Sequence, residues 1–235
     1  MSFNTPEKLE FKNKKSIIYV KSNFILKKVF NNLIYIKSLS IIKINKNIQK
    51  KLDITIDDYK KNCLIEIEVI PYENKFGRFI YILNEKDESN YRIYFNDNNE
   101  EIKRHYISEK DKVKKIKIII NQKIESLYKL FYNCECIETI NFTRLLRNNI
   151  KDMSCMFFNC SSVKEINFIE FTTENVENMS FMFNGCTSLK KIDISNFDTK
   201  NVKTMHEMFY FCTSLEEANL SNLNNEKLIT ILIKK

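Results

Sequence analysis

The residues able to do covalent or metal chemistry are seven cysteines and two histidines, His105 and His206, in a chain of 235 residues. A nucleophilic thiol needs a base beside it and a third group that orients the base. His206 stands 26 residues after Ser180 and 52 after Ser154, at a position where a surface hydroxyl is the alternative, so it reads as a surface substitution. Glu216 and Glu217 are adjacent on an alternating segment and point to opposite faces rather than sharing a site. Cys134-Glu-Cys136 and Cys155 with Cys160 lack the C-x₂₋₄-C…H-x₃₋₅-H spacing of a zinc site. With two glycines in the chain, Gly77 and Gly185, a glycine-rich phosphate loop is excluded. No catalytic, cofactor-binding or metal set emerges, and the expectation is a protein that is not an enzyme and uses no cofactor.

The cysteines do have register. Cys134, Cys160, Cys186 and Cys212 are each 26 residues apart, and so are Phe131, Phe157, Phe183 and Phe209. The same step relates Ile124, Ile150, Val176 and Val202; Leu127, Met153, Met179 and Met205; Leu130, Met156, Met182 and Met208; and Ile137, Val163, Leu189 and Leu215. It continues through Ile140, Ile166, Ile192 and Ala218, and through Phe142, Phe168, Ile194 and Leu220. Self-similarity at such a period means a repeat architecture. One thiol per repeat beside a Phe behaves as a small apolar core residue, and an odd number of cysteines without a secretion signal reads as free thiols.

Each repeat predicts its own shape. Leu189-Lys-Lys-Ile192-Asp-Ile194 alternates at its end, as a half-buried strand does. Val202, Met205, Met208 and Phe209 have the three- and four-residue spacing of a helical turn. Ser126, Asp152, Asn178 and Thr204 are N-cap residue types at its start. Asn133, Asn159 and Gly185 tolerate a left-handed stop; Phe211 breaks that column, so distorted geometry is expected there. One repeat alone buries too little apolar surface to offset its ordering, so the repeats must stack. The expected fold class is α+β: a leucine-rich-type solenoid, with short strands plus one helical turn per 26-residue repeat, over 113–235.

The run Asn175-Val176-Glu-Asn-Met179-Ser-Phe-Met182-Phe183-Asn-Gly-Cys186-Thr-Ser-Leu189-Lys-Lys-Ile192-Asp-Ile194-Ser-Asn-Phe197 resembles the 26-residue repeat of BspA-like leucine-rich repeat proteins. The resemblance covers about half of the chain and implies a binding scaffold. Its bacterial members are typically surface proteins and adhesins, so a cell-surface adhesin is one implied alternative. The N-terminal sequence has neither an apolar h-region nor an apolar run long enough to span a membrane, and the expected location is cytoplasmic.

Residues 61–112 alternate in short runs, among them Leu64-Ile-Glu-Ile-Glu-Val-Ile70 and Tyr91-Arg-Ile-Tyr-Phe95, which predicts a small β-sheet capping the first repeat. Residues 1–60 carry the whole charge excess of +8, with 13 Lys against five acidic residues, and read as a basic helical segment. Ile25-Leu-Lys-Lys-Val-Phe30-Asn-Asn-Leu33 followed by Leu39-Ser-Ile-Ile-Lys-Ile resembles an F-box, without its Leu-Pro opening and later Trp. That resemblance implies a ubiquitin-ligase substrate adaptor and a Skp1-type linker bound through residues 22–52.

The strand faces carry the remaining signal. Alternation turns Glu165, Asn167, Lys191, Asp193, Glu217 and Asn219 outward while Ile166, Ile192 and Ile194 turn inward. These outward residues are short, polar and mixed in charge, without the clustered Lys/Arg and aromatic platforms of a nucleic-acid surface. The expected function is protein–protein interaction, with this strip contacting a protein partner of unstated identity.

Overall fold

In Ile65-Glu-Ile-Glu-Val69 the apolar residues recur every second position, and in Ile116-Lys-Ile-Ile-Ile120 they do so again, so each segment offers one apolar face to a core. These become β1 (Ile65–Pro71) and β5 (Ile116–Ile120) of a computed structural model that describes residues 64–121, 124–145 and 149–223, with Lys46, Asn47 and Lys50. The chain divides into two units, Met1–Lys61 and Asn62–Lys235. In the first, Lys46, Asn47 and Lys50 have helical backbone and are exposed. The rest of the F-box-like segment 22–52, and of the basic segment 1–60, lies outside the described residues.

The second unit adds β2 (Gly77–Arg78), β3 (Tyr91–Phe95), β4 (Tyr106–Ile107), β6 (Ile137–Arg144), β7 (Glu165–Phe168), β8 (Lys191–Asp193) and β9 (Glu217–Asn219). One sheet runs β3-β5-β1-β6-β7, and β2 with β4 and β8 with β9 form two-stranded pairs. β1 pairs antiparallel with β6, placing Val69 opposite Ile140, and β6 pairs parallel with β7, placing Ile140 beside Ile166. β1 therefore covers the outer edge of the first repeat's strand, which would otherwise be an open template for pairing. On the turn side, the Tyr81 N–H donates to the Leu130 carbonyl at 2.8 Å and the Cys136 thiol to the Arg78 carbonyl at 3.2 Å.

The expected α+β class, a leucine-rich-type solenoid with a helical turn in each repeat after an N-terminal helical segment, is overturned. The described chain is mostly strands and turns: no helix of seven or more residues is found among the described residues, and among those of the second unit the helical element is a 3-10 segment, Glu85–Asn90. The reason lies in the backbone. Lys129, Cys155, Phe181 and Glu207, one per repeat, have φ of 60°, 54°, 58° and 49°, and a right-handed helix cannot run through a left-handed residue.

Hydrogen bonding goes between repeats instead of along a helix. The N–H groups of Leu127, Lys129, Phe131 and Asn133 donate to the carbonyls of Asp152, Ser154, Met156 and Phe158. The same alternate pattern links Met153, Cys155, Phe157 and Asn159 to the third repeat, and Met179, Phe181, Phe183 and Gly185 to the fourth. The N–H groups of Leu130, Tyr132 and Cys134 each reach back three residues. Two consecutive tight turns, each with positive φ at its third residue, thus reproduce the apolar spacing of a helical turn. The residues expected as helix caps cap these turns: Ser126 Oγ, Asp152 Oδ1 and Asn178 Oδ1 accept from the N–H two residues on, at 3.0, 2.9 and 3.0 Å. Asn133, Asn159 and Gly185 are left-handed, and so is Phe211 at φ 58°, so the distortion expected at Phe211 does not occur.

Identical residues from successive repeats meet in the core. The rings of Phe131, Phe157, Phe183 and Phe209 stack within 7° of parallel, with centroids 5.7, 5.3 and 5.1 Å apart. All four are fully buried, as are the methionines beside them from Met153 to Met208 and the four column cysteines.

Candidate functional site

Strand pairing in the repeats is interrupted at one place. β6 pairs with β7 and β8 with β9, but β7 and β8 are not hydrogen-bonded to each other as strands. On the turn side no such break occurs, because Asp152 bridges Asn178 and Asn178 bridges Thr204. The side chains differ on the two sides of the break. Asp193 Oδ1 accepts the Ser195 N–H at 2.9 Å where β8 ends and the chain turns. The equivalent Asn167 spends its amide on Asn141 Oδ1 and Glu165 Oε1, both at 2.9 Å, and that chain runs on to pair Phe171 with Leu145. Across the seam the Asn196 amide donates to the Phe168 carbonyl at 3.3 Å, a side chain standing in for a ladder bond.

A groove of about 900 Å³ runs over this seam and along β8 and β9. Glu165, Asn167, Lys191, Asp193, Glu217 and Asn219, the strip expected from alternation, all line it, together with Ile169, Ser195 and Asn196. Five of the six are exposed and Asn167 is half-buried, while Ile166, Ile192 and Ile194 are buried. Lys191 Nζ meets Glu217 Oε1 at 2.8 Å, and this bond raises the lysine pKa. The Ser195 hydroxyl and N–H hold the Asp193 carboxyl below its ordinary value. Ile169 is 65 % exposed, and Ile166, Phe168, Ile192 and Ala218 add to the apolar part of the lining. Asn196 was not singled out by sequence, because it lies past the alternating residues; the Asp-x-Ser turn at 193–195 was the signal that could have found it.

The residues with reactive potential are kept apart. His105 lies 4.0 Å from Glu88, and burial lowers its pKa. His206 lies 3.2 Å from Glu207. Each column thiol after the first donates to a carbonyl: Cys160 to Phe131 at 2.9 Å, Cys186 to Phe157 at 3.2 Å and Cys212 to Phe183 at 3.0 Å. Burial raises all of these thiols, Cys160 and Cys212 to about 12. Among the described residues the six cysteines are free, no group of three or more His, Cys, Asp or Glu is placed to hold a metal, and no helix is long and apolar enough to cross a membrane. What the groove offers is recognition chemistry: paired charges of both signs, amides and an exposed isoleucine.

Residues 125–232 match a family model described as "Mycoplasma protein of unknown function, DUF285". No curated protein and no solved structure matches the chain. The match does not extend to the BspA-like or F-box-like resemblances. Over 125–232, somewhat less than half of its length, the chain is a repeat protein similar to this family.

Proposed function

We propose that this chain is a non-enzymatic protein–protein interaction protein and that a partner protein binds in the strand-side groove. The observation that carries the reading is the groove itself, which runs over β7, β8 and β9 and is lined by Glu165, Asn167, Lys191, Asp193, Glu217 and Asn219 among others. A small-molecule site encloses its ligand, whereas this groove is wide and open, lined by polar and apolar residues alike, with one exposed isoleucine. An interface of this kind takes specificity from charge register. The Lys191–Glu217 pair, with Asp193 beside it, supplies alternating signs that a partner segment reads with the opposite pattern. Repeat stacks commonly bind along such an extended face. Charge reversal at Lys191 and Asp193, with partner capture as the readout, tests the reading.

A further inference from the structure

On the turn side, the second residue of each turn that ends at the cysteine forms a column: Tyr132, Phe158, Asn184 and Tyr210. Where consecutive members are aromatic they stack. Tyr132 and Phe158 lie 5.1 Å apart at an interplanar angle of 10°, and Tyr81 extends the series, 6.0 Å from Tyr132. Asn184 interrupts this column between Phe158 and Tyr210. Successive rungs of a parallel ladder are spaced by about 4.8 Å, so at this rung a short amide stands where its neighbours in the column carry a ring. A notch of about 500 Å³ lies there, walled by Phe158, Phe181, Tyr210 and Phe211.

Two further features specify what the notch takes. Asn184 is 6 % exposed, and its side-chain amide has no hydrogen-bond partner among the described residues. A buried amide left unmatched is costly, and in native proteins it points to a missing partner. Glu207 is the one charged residue in the lining, and one of its carboxylate oxygens pairs with His206. Aromatic faces attract cations through their quadrupole, and guanidinium adds flat stacking and a fork of donors that ammonium lacks.

We infer that the Asn184 notch is a binding site for an arginine side chain of a partner protein. The guanidinium stacks in the gap between Phe158 and Tyr210, donates to the Glu207 carboxylate and donates to Asn184 Oδ1. The site belongs to the turns, not to the strand-side groove, so it does not depend on that reading.

The test is an NMR titration of the isotope-labelled full chain with N-acetyl-L-arginine amide, with the lysine and leucine amides as comparators. The expected result is a saturable shift of the Asn184 side-chain amide and of the Phe211 ring, with a dissociation constant in the millimolar range. Affinity should fall at least tenfold for the lysine amide, for Glu207→Gln and for Phe211→Ala. Phe211 is 51 % exposed, so its variant keeps the native spectrum elsewhere. A titration without saturation, equal shifts from the leucine amide, or unchanged affinity in Glu207→Gln would overturn the site and leave Asn184 as a hydration point. Equal affinity for the lysine amide would overturn the assignment to arginine.

Discussion

Cys160 Sγ lies 2.9 Å from the carbonyl oxygen of Phe131, the core phenylalanine of the repeat before its own. The same relation recurs from Cys186 to Phe157 and from Cys212 to Phe183. That carbonyl also accepts a turn N–H from the cysteine of its own repeat, as the Phe131 carbonyl does from the Cys134 N–H. The thiol is thus a structural donor that ties one repeat's turn to the next, and its bond requires the protonated form.

Thiol reactivity should follow from this. The thiolate is the nucleophile, and burial holds Cys160 and Cys212 near pKa 12. Iodoacetamide at neutral pH should leave Cys134, Cys160, Cys186 and Cys212 unmodified in the native protein and label them in denaturant. Rapid native labelling of the four, seen by peptide mass mapping, would contradict the buried column.

The same shift makes stability depend on alkaline pH. The folded pKa lies above the unfolded value of 9.0, so above pH 9 the unfolded state binds fewer protons than the native one, and stability falls as pH rises. The slope approaches about 1.4 kcal/mol per pH unit for each such thiol. Urea unfolding of wild type and Cys160→Ala between pH 8 and 10.5 should show a shallower decline in the variant. Parallel declines would mean that Cys160 is not held protonated.

Phe183 is fully buried and stacked between Phe157 and Phe209. Phe183→Ala should therefore cost about 3–5 kcal/mol by denaturant unfolding. A loss under about 1 kcal/mol would mean that the ring does not fill the core as described.

Gly185 has φ of +77°, and a Cβ there would approach Asn159 Cα to 3.2 Å and Asn159 Oδ1 to 3.3 Å. Gly185→Ala should lower stability by about 1–2 kcal/mol from backbone strain alone, with the tight contact added. The urea midpoint reads the effect, and an unchanged midpoint would refute the left-handed turn at this position.

The 26-residue step was legible because identical residues must meet across repeats, as the phenylalanine stack shows. The outward strand residues were legible for the same kind of reason: a period of two fixes sides. The turn was not. Leu127, Leu130 and Phe131 carry apolar spacing that a helix and a pair of tight turns share, and nothing in Lys129 or Cys155 announces positive φ. What forces it is the alternate N–H bonding to the next repeat, an interaction between segments that no window within one repeat contains. The β7/β8 break was likewise hidden behind an unbroken 26-residue register. Beside it stands one substitution, Asp193 in place of Asn167, which changes a ladder amide into a turn acceptor.

The most direct test of the strand-side groove is partner capture by the double variant Lys191→Glu, Asp193→Lys, with Lys103→Glu as a control reversal in the connection between β3 and β4. Lys191, Asp193 and Lys103 are exposed, and polar substitutions at such positions usually leave stability nearly unchanged, so circular dichroism and the unfolding midpoint should match wild type in both proteins. In co-precipitation from native lysate, followed by quantitative mass spectrometry, the double variant should lose the partners that wild type and Lys103→Glu retain. Retention of every partner by the folded double variant would contradict the account and make the strand face scaffold alone.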